Sequence, residues 1–88
     1  MPNSPNTADT LGWAYYCKGT YSFARDLLED ALKADQENAS MQYHLGMVYA
    51  KLRDKNNAAI HLKKAVSLAP DSPTAKDATT ALQRLGQS

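Results

Sequence analysis

The chain has 88 residues, 43% of them hydrophobic, and a formal net charge of +1. A length of this order holds one domain rather than two independent cores, and so small a charge gives no field that would recruit nucleic acid or an anionic membrane. The single cysteine, Cys17, excludes an internal disulfide, and no apolar run approaches the roughly 20 residues of a membrane-spanning helix.

In chain order, Met1-Pro-Asn-Ser-Pro5 reads as a polar, disordered tail. A first helix is predicted over about 7–18, with Asn6 as its N-cap and Leu11, Tyr15 and Lys18 along one face. Gly19 closes it, since glycine readily takes the left-handed conformation of a helix end. Thr20 then caps a second helix over about 21–34, whose inner stripe is Ala24, Leu27, Leu28, Ala31 and Leu32. On its outer side Arg25, Glu29 and Lys33 form two opposite-charge pairs at i,i+4 spacing. Asn38 or Ser40 starts a third helix, about 39–52, carrying Met41, Leu45, Val48, Tyr49 and Leu52. Asp54 caps a fourth over about 55–68, burying Ala58, Leu62, Ala65 and Val66, and Pro70 ends it. Ser72 with Pro73 starts a fifth helix, apolar at Ala75, Ala78, Ala81, Leu82 and Leu85, which stops at Gly86.

Six residues of the first half return in the second at a separation of 34. Leu11, Gly12, Tyr15, Ala24, Leu28 and Ala31 become Leu45, Gly46, Tyr49, Ala58, Leu62 and Ala65. Together with the turn Gly19-Thr20-Tyr21 and with Pro70, this pattern resembles the tetratricopeptide repeat, whose period is 34 residues. Departures are Ala8 and Gln42 at the family's early Trp position, Gln36 at its first proline and Arg53 at its second turn glycine. The resemblance implies an all-α fold, a short right-handed solenoid of five antiparallel helices. Its domain spans 6–86, with repeat one at about 5–38, repeat two at about 39–72 and a capping helix at about 73–86.

The resemblance further implies a concave groove built from the first helices of successive units. It places Asp9, Trp13 and Tyr16 there, then Tyr43, His44, Met47 and Lys51, then Asp77, Ala81 and Arg84. The spacing adds its own reason: Trp13 with Tyr16 and Tyr43 with Met47 make helices apolar on a second side, which need a second packing partner. Two readings stay open. In one, these side chains hold a peptide or helix of a partner protein. In the other, the chain is the structural end-piece of a longer array, and its aromatics pack on upstream repeats or on a second copy. A subclass of the family clamps chaperone carboxylates with Lys and Asn; here Asp9 and Trp13 occupy those places, and Asp9 would repel such a ligand.

Nothing in the chain has the pattern of a catalyst. His44 and His61 lack metal-ligand spacing, no glycine-rich phosphate loop exists, and no cofactor is expected. Cys17 reads as a small semi-buried side chain, with no neighbouring histidine, helix start or basic cluster to activate it. The acidic first half and basic second half suggest head-to-tail stacking of copies rather than nucleic-acid binding, because aromatics and most basic residues fall on different helices. The expected molecule is a monomer or a weakly self-associating one, in the cytoplasm or a bacterial periplasm.

Overall fold

The computed structural model describes residues 5–87. Five helices follow one another: α1 (Pro5–Cys17), α2 (Tyr21–Ala34), α3 (Ala39–Lys51), α4 (Lys55–Leu68) and α5 (Pro73–Gln87). The predicted tail lies outside the described residues except for Pro5, which opens α1. A proline is well suited to that place, where its missing N–H has no helical partner to lose. Asn6 therefore sits inside the helix and is not its cap. At the other end α5 runs through Gly86 to Gln87, so this glycine does not stop the helix; its φ is not positive, and a Cβ there would meet nothing within 4 Å.

The caps follow local chemistry. Asn38 accepts from the Met41 N–H at 3.1 Å, Asp54 from the Asn57 N–H at 3.1 Å, and Ser72 Oγ from the Ala75 N–H at 3.0 Å. Thr20 occupies the cap position of α2 without a side-chain capping bond. The two inter-helix turns are built alike. The Gly19 and Thr20 N–H groups donate to the carbonyls of Tyr16 and Tyr15, and 34 residues on those of Arg53 and Asp54 donate to Ala50 and Tyr49. Both turns need a left-handed residue: Gly19 has φ 84° and Arg53 has φ 67°. Glycine adopts this conformation freely, whereas a residue with a Cβ is strained by about 1–2 kcal/mol. Arg53→Gly should therefore stabilise the chain by about 1 kcal/mol, read as a higher urea midpoint. A lower midpoint would show that the arginine is held by something other than backbone geometry.

The helices pair as hairpins, α1 with α2 and α3 with α4, and α2 packs on α3 while α4 packs on α5. α1, α3 and α5 also approach one another in series, whereas no Cα of α2 comes within 8 Å of one in α4. The first three thus form the tighter, inner layer. Within each hairpin the axes meet at a glycine. A Cβ on Gly12 would fall 2.7 Å from Leu28 Cγ, and one on Gly46 would fall 2.7 Å from Leu62 Cγ. Leu28, Met41, Leu45, Val48 and Leu62 are wholly buried, joined by Ala24, Ala31, Ala58, Ala65 and Ala78. Leu11, expected in this core, is 38% exposed, although its counterpart Leu45 is 0% exposed. Leu45 lies in a cluster with the α2 side chains, and α1 has no such helix on its outer side.

Polar groups complete the seam between the hairpins. The expected pairs of Glu29 with Arg25 and Lys33 do not form. Arg25 turns to Asp26 at 3.1 Å and Lys33 to Asp30 at 3.6 Å, because Glu29 accepts the Tyr49 hydroxyl at 2.9 Å. Burial, then the bond to Glu29, pushes the Tyr49 hydroxyl up to about 12. His61 lies parallel to the Tyr49 ring, centroids 5.6 Å apart, with its Nδ1 2.8 Å from Gln42 Oε1. The buried Gln42 amide donates in turn to the Gln36 carbonyl at 3.0 Å. Both ends of this amide are thus satisfied, as a buried polar group requires.

Burial holds His61 below its ordinary value of 6.5, against a smaller opposing pull from Glu29. The folded state therefore favours neutral imidazole. Its contribution to stability is complete above the unfolded value and is lost as pH falls through the folded one. Asp54 does not titrate in that window, since the Asn57 side chain and backbone N–H hold its carboxylate below the usual range. Between about pH 7.5 and pH 5.5 the wild-type urea midpoint should fall more than that of His61→Gln. Equal falls in the two chains would remove His61 from the pH response.

Candidate partner groove

The inner layer carries a concavity of about 540 Å³ between α3 and α5, with α1 at its edge. Tyr16, Tyr43, Met47, Lys51, Asp77, Ala81 and Arg84 line it, which brings together most of the residues expected on the groove. Ala50, Thr80 and Leu85 also line it. Two of these were available from register alone: Ala50 lies one period after Tyr16 and one before Arg84, and Leu85 one period after Lys51.

Asp9, Trp13 and His44 do not reach the concavity. They form a packed wall behind it, joining α1 to α3. Trp13 stacks on Tyr16 with centroids 4.4 Å apart and planes 8° from parallel. Trp13 also stacks on His44, at 4.3 Å and 25°. Asp9 Oδ1 is 2.7 Å from His44 Nδ1, both side chains being mostly buried. Aromatic contacts of this kind contribute about 0.5–1.5 kcal/mol beyond their area, so the wall fixes Tyr16 from behind. Tyr16 is the link, stacked on Trp13 and facing the concavity.

The groove floor is half-buried and uncharged. Burial raises the Tyr16 hydroxyl, with smaller contributions from Tyr21, Tyr43 and Cys17. Burial also raises Tyr43, where nearby Asp77 adds to the effect and Arg84 opposes it. Both hydroxyls remain protonated at neutral pH and can donate. Lys51, Asp77 and Arg84 are exposed and make no ion pair among the described residues. Cys17 proves exposed rather than semi-buried.

Among the described residues no three His, Cys, Asp or Glu side chains gather as a metal site, and no helix is long and apolar enough to cross a membrane. No curated protein matches the chain. Residues 39–72 match the family model for the tetratricopeptide repeat, a repeat typical of non-enzymatic scaffolds for protein–protein contact. That stretch covers α3, α4 and the turns around them, and the same glycine–leucine contact joins α1 to α2 one period earlier: residues 39–72 are a repeat of the tetratricopeptide family.

Proposed function

We propose that the chain is a non-enzymatic interaction scaffold that holds a peptide or helix of a partner protein in the concavity between α3 and α5. The observation carrying this reading is the set of large side chains left partly open there. Tyr16, Tyr43 and Met47 line the hollow while three unpaired charges ring it. Aromatic residues, methionine and arginine around a hollow are the composition of interface centres. Asp77, lining the same hollow as the two cations, puts a negative charge where a nucleic-acid backbone would have to pass, so the reading favours a protein partner. On this reading repeat one spans about 5–38, repeat two about 39–72, and α5 caps the stack.

Trp13 supplies the readout. It is the only tryptophan and stacks on Tyr16, so a segment seated on Tyr16 should change its emission. With peptides selected from a displayed library, Tyr43→Ala should weaken binding about tenfold or more while the chain still melts cooperatively. If Tyr43→Ala lowers the melting temperature and leaves every affinity unchanged, the tyrosine serves the fold and the groove reading fails.

A second reading has its own support at the other end of the molecule. Leu11 is 38% and Phe23 47% exposed, and Tyr15, edge-on to Phe23 at 4.6 Å, has among the described residues no hydroxyl acceptor of the kind Glu29 gives Tyr49. This face has the composition of one that packs on an upstream repeat or a second copy. Sedimentation over a range of concentrations separates the readings: association abolished by Phe23→Asp but untouched by Tyr43→Ala belongs to this face.

A further inference from the structure

The charges around the concavity are separated, and their order along the helices gives the groove a direction. Asp77 and Arg84 stand seven residues apart on α5, two turns and about 10 Å along one face. Lys51, in the last turn of α3, stands one period before Leu85 and so lines the hollow at its Arg84 end. One end of the groove is therefore negative and the other doubly positive, with Tyr43 and Met47 on the floor. Both signs reach that floor, since the Tyr43 hydroxyl is raised by Asp77 and lowered by Arg84. On the α1 side Asp9 is taken by His44.

We propose that the groove selects a partner segment of mixed charge and fixes its direction: an acidic side chain against Lys51 and Arg84, a basic one about 10 Å away against Asp77, and an apolar side chain between them on Tyr43 and Met47. In a helical partner the two charges lie seven residues apart; in an extended one they lie about three apart. The apolar contact supplies most of the affinity. Each exposed ion pair adds at most about fivefold, but a segment of the wrong order sets like charges face to face, and this discriminates between partners. The inference rests on the groove reading above and adds the chemistry of the occupant.

The test is selection of random 12-residue peptides displayed on phage against the whole chain, keeping those whose binding is lost with Tyr43→Ala. The expected binders pair an Asp or Glu with a Lys or Arg at one of the two spacings, with apolar residues between. Against Asp77→Lys, whose change is on the surface and should leave melting unaltered, the selected set should turn purely acidic. Affinity for the original peptides should drop about fivefold. Binders without the charge pair, or a set unchanged by Asp77→Lys, overturn the inference and leave the groove standing. Failure to find any Tyr43-dependent binder overturns the groove reading as well.

Discussion

Leu62→Ala is expected to lower the free energy of unfolding by about 3–4 kcal/mol, measured by circular dichroism in urea. Leu62 is 0% exposed and sits where α3, α4 and α5 converge, packed with Ala65 and Ala78. Its removal forfeits both the transfer of a buried side chain and the contacts of everything around the void. A chain of 88 residues has a total stability of about 4–13 kcal/mol, so the variant should populate its unfolded state measurably. Leu11→Ala, at an exposed site, should cost less than about 1 kcal/mol. A loss below about 1.5 kcal/mol for Leu62→Ala would mean that α5 collapses into the cavity, and that the seam is softer than its burial implies.

Gly46→Ala should destabilise by about 1–2 kcal/mol, the balance of two opposed effects. Alanine favours an α-helix over glycine by about 1 kcal/mol. Against this, the new methyl would lie 2.7 Å from Leu62 Cγ, 2.9 Å from its Cδ2 and 3.2 Å from its backbone nitrogen. The leucine can rotate, but its backbone can retreat only if the two helices separate, and overpacking of this kind costs about 1–3 kcal/mol. Nearer than 3.4 Å, Gly12→Ala meets only the side chain of Leu28, and it should stay within about 1 kcal/mol of wild type. The double variant Gly46→Ala with Leu62→Ala should lose less than the sum of its parts, since one methyl fills space vacated by the other. Strict additivity in that cycle would contradict the contact.

The sequence is explicit about contacts that depend on neighbours along a helix, and silent about those that cross between helices. The stripe Ala24, Leu28 and Ala31 and its echo at Ala58, Leu62 and Ala65 reveal buried faces because helical periodicity alone sets them. Asn38, Asp54 and Ser72 are legible as caps for the same local reason. Thr20 shows the limit, since the right residue at the right place makes no capping bond. Glu29 shows it more sharply. Its helix neighbours offer two ion pairs, and a tyrosine 20 residues away takes it instead. Asp9 and His44, 35 residues apart, were both legible as groove residues, but their attraction to each other removes them from it. Leu11 looks like core by its repeat position and lacks only the helix that would cover it.

The polar exterior of α5 has a consequence for lengthening the stack. Lys76 and Gln83 are exposed one period after Gln42 and Tyr49, which are covered at the seam between the hairpins. A further hairpin laid over α5 would strip water from an ammonium and an amide, at about 1–3 kcal/mol for the amide alone if no partner replaced it. Laid over Leu11, Tyr15 and Phe23, it would instead remove oily surface from water. A tandem array made from this chain is therefore expected to have a polarity of growth, with elongation easier from α1 than from α5.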